Sequence, residues 1–309
     1  MKETHKATRT YEETTDRIDF KRNDVVVVVV ACRDRLQETL TMLKSALMFS
    51  KEKLNFVVFA EDELIESFSQ KLGEWKLFTN NGFTYKVMAL TFPSKDAEEW
   101  KKLFKPCAAQ RLFLPNILKE VDSVLYVDTD TLFLTPVETI WNYFHKMNSS
   151  QMAALAPEHE DPNVGWYNRF ARHPYYGKLG VNSGVMLMNL TRMRVFQWSK
   201  LYLYSCRYNF RPDHCMYMSV CKPAEKEGVA VIHGSRGFFH SEKQPVFQAI
   251  YRAFEEVHKF FQLGGDLFKE FYQPLESYLD QAENTNCGHI KEVFLKNIRR
   301  YIDIDYNNT

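Results

Sequence analysis

Two short motifs at the ends of apolar runs carry residue types suited to metal and phosphate chemistry. Asp128-Thr129-Asp130 closes the run VLYV. Carboxylates at the carboxyl end of a strand point into the crevice where open α/β sheets bind ligands, and there they can hold Mg²⁺ or Mn²⁺ against a diphosphate. A polar turn after a strand has the same spacing, so the triplet alone leaves both readings open. A second triplet, Asp303-Ile304-Asp305, sits at the extreme C-terminus away from any strand end and reads as solvated tail charge. His233-Gly234-Ser235-Arg236-Gly237 follows the run VAVI. His233 is a candidate metal ligand and Arg236 a candidate phosphate partner. The competing reading is an ordinary glycine turn with a surface arginine.

Three further groups belong with these. Asn182-Ser183-Gly184 precedes GVMLMNL, where an amide can meet a sugar hydroxyl and a glycine lets backbone come close; a plain turn before a strand fits equally. Arg111 lies beside Leu112, Phe113 and Leu114, and either snorkels or points into the crevice. The segment 157–180 holds Trp166, Tyr167, Tyr175 and Tyr176 with Arg169 and Arg172. Rings among hydrogen-bonding groups hold sugars and protein loops, or fold over a small core of their own. Cys206, Cys215 and Cys221 with His214 invite a zinc reading, but their intervals miss the close pairing of zinc cysteines. A disulfide among them is expected instead, with the pairing open.

These residues need strand ends and helices to position them. Asp24 is followed by six valines and Ala31, a β-branched run suited to a parallel strand buried on both faces. Asp34 is placed to cap the next helix, whose face is Leu36, Leu40, Leu43 and Leu47. LNFVVFA at 54–60 is a second strand, and Leu64, Ile65, Phe68 and Leu72 mark a second helix. Residues 84–92 read as a third strand, 96–119 as helical with Pro106 as a break, and 124–127 as a fourth strand. Further strands are expected at 184–190 and 228–232, a long loop at 157–180, and helices from Pro245 onward. Strands alternating with helices make a doubly wound α/β sheet.

Composition removes several classes. Lys plus Arg number 40 against 39 Asp plus Glu, so nothing supplies the electrostatic term of a general nucleic-acid binder. Twelve glycines and eleven prolines in 309 residues are too few for a low-complexity chain. The longest apolar run, Val25 to Cys32, falls far short of the ~20 residues of a membrane span. Sequons at Asn148, Asn189 and Asn307 hint at a secretory lumen.

Taken together, the motifs resemble the retaining glycosyltransferases of family 8 over roughly residues 24–263. The stretches FPSKDAEEWKKLFKPCAAQRLFLP, SVLYVDTDTLFL, APEHEDPNVGWYNRFARHPYYGKLGVNSGVMLMN and YNFRPDHC are similar to the glucoside xylosyltransferases. The resemblance implies a GT-A-type, Rossmann-like mixed sheet over 24–263; the polar residues 1–23 read as a solvated leader before it, and 264–309 as a C-terminal helical extension after it. It implies α1,3 transfer of xylose from UDP-xylose to O-linked glucose on EGF repeats of Notch-type proteins, in the ER or Golgi lumen, by a type II membrane protein. It makes Asp128, Asp130 and His233 ligands of Mn²⁺ or Mg²⁺. Ala31, Cys32, Thr129, Gly234 and Arg236 become nucleotide or phosphate neighbours, and Arg111, Asn182 and Gly184 donor-sugar and crevice residues. Trp166, Tyr167, Arg169, Arg172 and Tyr175 become acceptor contacts. No side-chain nucleophile is identifiable.

The chain departs from that family in two ways. It is expected to have no membrane anchor, since none of its apolar runs is long enough. It also lacks a G-D-Q-D motif, and only 48 residues separate Gly184 from His233. An internal segment is therefore expected to be missing near 198–201. That departure keeps two alternatives in play: a catalytically silent UDP-sugar or partner-binding isoform, and a hexosyltransferase of the same family.

Overall fold

The computed structural model describes residues 24–79, 82–93, 99–100, 106–195, 200–257 and 268–306. Strand β1 (Val25–Ala31) is buried along its whole length, as its uninterrupted valines require. It pairs in parallel with β2 (Leu54–Ala60) and β4 (Ser123–Val127), and β2 pairs in parallel with β3 (Phe83–Ala89). Beyond β4 the direction reverses. β7 (Val181–Asn189) runs antiparallel to both β4 and β6 (Ala153–Pro157), and β8 (Leu201–Leu203) closes the edge parallel to β6. The order is therefore β3-β2-β1-β4-β7-β6-β8, a doubly wound mixed sheet of GT-A type.

A second, two-stranded sheet matters more for chemistry. β5 (Thr131–Phe133) pairs antiparallel with β9 (Val231–His233), and its register sets Thr131 opposite His233. Because β5 follows the D-x-D triplet directly, this pairing brings the two motifs to one place.

Several local expectations change. The run at 228–232 contributes only Val231–His233, and to the small sheet, because Gly228 at φ 83° ends the helix Lys222–Glu227. The third strand stops at Ala89. Asp34 caps nothing: the helix Leu36–Phe49 starts without a side-chain cap, and Arg35 turns its guanidinium to Glu38 one turn in. Pro106 opens the helix Pro106–Gln110, where a missing N–H costs nothing. The 157–180 loop contains the helix Trp166–Phe170.

Phe49 meets Phe254, Phe271 and Tyr301 edge-on, in a core cluster that also takes in Ile232, Phe247 and Phe294. Three disulfides are present: Cys32–Cys107, Cys206–Cys221 and Cys215–Cys287. The place of the expected internal gap, 198–201, lies partly outside the described residues. Residues 196–199 lie outside the described ones, and Leu201 already belongs to β8. The leader at 1–23 lies outside them as well.

Candidate active site

Asp128, Asp130 and His233 each offer a ligand atom, and all of these lie within 4.8 Å of one another. His233 Nε2 is 3.2 Å from Asp130 Oδ1 and 4.0 Å from Asp128 Oδ2. The ring is buried, and its Nδ1 sits 2.9 Å from Asn209 Oδ1. An amide oxygen only accepts, so Nδ1 carries the hydrogen and Nε2 keeps its lone pair for a metal. Two carboxylates and a neutral imidazole suit a divalent ion of the Mn²⁺ or Mg²⁺ kind. Burial disfavours charge on His233, but Asp130 and then Asp128 outweigh it and hold the ring above its usual value. Burial likewise works against the Asp130 carboxylate, and His233 prevails, leaving it below the usual range.

Neighbouring side chains fix this arrangement. Tyr126 donates to Asp128 Oδ1 at 2.8 Å, and Arg111 Nη1 stands 3.6 Å from the same oxygen while also donating to Ser183 Oγ. Gly184 has no room for a side chain. A Cβ there would lie 2.6 Å from His233 Nδ1 and 3.0 Å from Nε2. Its role is to admit the imidazole. Asn182 is engaged inward: its Oδ1 accepts from Gly184 N and Asn209 Nδ2, and its Nδ2 donates to Glu158. Its amide supports Asn209, and through it His233.

Asp128 and Asp130 line one cavity, and a second is lined by Asn182, Ser235 and Arg236, close in sequence to Gly184 and His233. The first, about 370 Å³, is lined by Cys32, Arg33, Glu61, Arg111, Asp128 and Thr129 among others. Thr129 donates to the buried Glu38, which also takes Arg35 and faces His240 Nε2 at 3.0 Å. Arg33, at φ 57°, donates its N–H to Glu61. Ala31 is buried at the end of β1, and Cys32 is tied to Cys107.

The second cavity, about 340 Å³, is lined by Glu158, Trp166, Arg169, Asn182, Arg211 and Arg236 among others. Arg236, expected at phosphate, lines this cavity and pairs with Asp213. Its loop is turned by Gly237 at φ 78°, and Gly234 lies against the Phe239 ring. Trp166 is half exposed. Tyr167 packs over Gly180 and against Tyr175, while Arg172 is exposed. Asn148 is exposed, its Oδ1 taking N–H groups of its own turn. Asn189 ends β7, where its Oδ1 accepts from Arg192 N and its Nδ2 donates to Ser123. Asn307 and the side chains of Asp303 and Asp305 lie outside the described residues.

Sequence reading missed Asn209, Glu158, Arg211 and Glu38. The first three lie inside the stretches YNFRPDHC and APEHED, which were specific but gave no role. Glu38 gave no signal, being one acid on an amphipathic helix.

A family model described as glycosyl transferase family 8 matches residues 26–220. The chain is 47% identical to chicken (Gallus gallus) glucoside xylosyltransferase 1 over 89% of this chain and 72% of that protein. It is 46% identical to Xenopus laevis glucoside xylosyltransferase 2, with 91% and 75% covered. The aligned stretch with the chicken protein runs to 318 positions, more than the 309 residues of this chain, so the relative carries positions missing from this chain's interior. Among solved structures, the WbbM bifunctional glycosyltransferase shares the fold with a TM-score of 0.55, at 11% identity over 90% of this chain and 53% of that one. Among the described residues, no helix is long and apolar enough to cross a membrane.

Proposed function

The chain belongs to glycosyl transferase family 8 and is a xylosyltransferase enzyme by its relatives, and on that premise we propose that it takes xylose from UDP-xylose to O-linked glucose on EGF repeats, in α1,3 linkage and with retention. The observation that carries this reading is the convergence of Asp128, Asp130 and His233, with both aspartates on the wall of the first cavity. Asp128, Asp130 and Nε2 of His233 would hold Mn²⁺ or Mg²⁺, which when bound neutralises charge growing on the diphosphate leaving group. Asn209 keeps the His233 proton on Nδ1. Arg111 holds Asp128 from the side of the first cavity, which takes the nucleotide. The second cavity takes the acceptor, with Trp166 and Arg169 on its wall. The acceptor hydroxyl attacks from the face the UDP is leaving, and the leaving phosphate takes its proton. We place the enzyme in the secretory lumen, where O-glucosylated EGF repeats and UDP-xylose meet.

The test is incubation with UDP-xylose, Mn²⁺ and an O-glucosylated EGF repeat, read by mass spectrometry. A pentose increment that disappears in Asp128→Asn is expected. A hexose increment from UDP-glucose or UDP-galactose, with none from UDP-xylose, would point to the hexosyltransferase alternative. A second reading, UDP-sugar binding without transfer, draws on the positions missing from the interior of the chain. UDP binding with no increment of either kind would select it.

A further inference from the structure

Arg211 is 2% exposed on the wall of the second cavity, and only one end of its guanidinium is used. Nη1 donates to Glu158 Oε2 at 2.6 Å. Nε and Nη2 are buried with no acceptor among the described residues. Those two N–H groups form the side of a guanidinium that grips an oxyanion through two parallel hydrogen bonds. The carboxylates on this cavity's wall are already engaged. Glu158 Oε2 also accepts from Asn182, and Asp213 pairs with Arg236. His214 adds to the imbalance. Its Nδ1 accepts from Arg211 N, so its Nε2 carries a hydrogen, and that atom is also buried without a partner. A buried donor left unpaired is costly, and it marks the place of a missing acceptor.

We propose that Arg211 binds a carboxylate of the acceptor polypeptide through Nε and Nη2, making this cavity read an acidic side chain as well as a sugar. The proposal rests on the reading of the second cavity as the acceptor side. A phosphate presents the same pair of oxygens, and the donor's diphosphate is the other source of one. The carboxylate is favoured because the nucleotide belongs with Asp128 and Thr129 in the first cavity. The rim of the second also carries Trp166, Phe170 and Tyr217, all of them exposed, which suits a polypeptide.

The experiment titrates ¹⁵N-labelled full-length chain with sodium acetate and, separately, with inorganic phosphate. It follows the Arg211 Nε–H resonance, identified by its loss in Arg211→Lys. Lysine keeps a cation for Glu158 and removes both free donors. Acetate should move the resonance saturably and should bind Arg211→Lys about tenfold or more weakly by calorimetry. Glu158→Gln, which leaves Arg211 in place and removes the competing charge, should bind acetate more tightly. This second variant also decides the matter if Arg211→Lys does not fold. No shift with acetate, equal affinity in Arg211→Lys, or no gain in Glu158→Gln would overturn the proposal. Phosphate binding in place of acetate would overturn the choice of a carboxylate. Mn²⁺-dependent UDP binding by the same samples is scored separately. Its loss would count against the functional reading, while the acetate titration bears on Arg211 alone.

Discussion

A metal ligand is set by what lies behind it as much as by its own donor atom. His233 reaches the aspartates because Gly184 has no Cβ and because Asn209 takes its Nδ1 hydrogen. Gly184→Ala drives a methyl into the imidazole and should weaken Mn²⁺ binding by about tenfold or more, as should Asn209→Ala, since support of this kind is worth about 10–100-fold in affinity. Calorimetry with Mn²⁺ checks both, and unchanged affinity in either would show that the residue does not support the metal site. The proton competes for the same nitrogen. The folded ring holds its proton above the ordinary imidazole value of 6.5, so low pH blocks the lone pair and rising pH frees it. Mn²⁺ affinity, followed by the loss of the free-ion spin resonance signal, should climb between about pH 6 and 8. A flat profile would contradict His233 as a ligand. Asp128, Asp130 and His233 were legible in the sequence because each closes an apolar run. The partners of Asn182, Glu158 and Asn209, were not legible because they are far away in the chain, and spacing says nothing about them.

The same limit applies to elements. β1 and β2 announce themselves, since a strand covered on both faces needs an unbroken apolar run. β6 went unseen because AALAP has little β-branched character, and β5 and β8 because three residues carry no period. Yet β5 does the most for the site, pinning the D-x-D turn against the histidine strand. Disulfides were foreseen as a possibility and their pairing was not, because pairing depends on which elements meet. Cys32–Cys107 joins the end of β1 to the helix Pro106–Gln110, just ahead of Arg111. If the first cavity takes the nucleotide as proposed, Cys107→Ser should loosen that wall and weaken UDP binding while leaving Mn²⁺ affinity unchanged; equal UDP affinity would show that the tether does not shape UDP binding. Cys215–Cys287 spans 72 residues and ties the loop after Arg211 to the C-terminal helices. Opening it with Cys287→Ser should lower stability by roughly 2–4 kcal/mol, read from urea midpoints, and a shift well below that would assign the tie little weight.

At the scale of the whole molecule, the doubly wound sheet was legible because apolar runs alternate with helical patterns, and the family because four long stretches resemble it. What is missing matters as much. Positions that the chicken relative carries are absent from the interior of this chain, and the exposed Val195 and Leu203 flank residues 196–199. Apolar surface left uncovered weakens a fold, so this chain should melt below an intact glucoside xylosyltransferase 1 measured without ligand. Equal melting temperatures would oppose that. Transfer should be slow for a related reason: removing one oriented hydrogen bond to a donor sugar costs on the order of 10²-fold in rate. The centre at Asp128, Asp130 and His233 is nonetheless whole, and the proposed function depends on it. Titration calorimetry of UDP with Mn²⁺ and with the metal chelated tests it directly. Saturable binding with Mn²⁺, lost on chelation and in Asp130→Ala, is the predicted result. Equal UDP affinity with and without the metal would contradict a metal-held diphosphate at this centre.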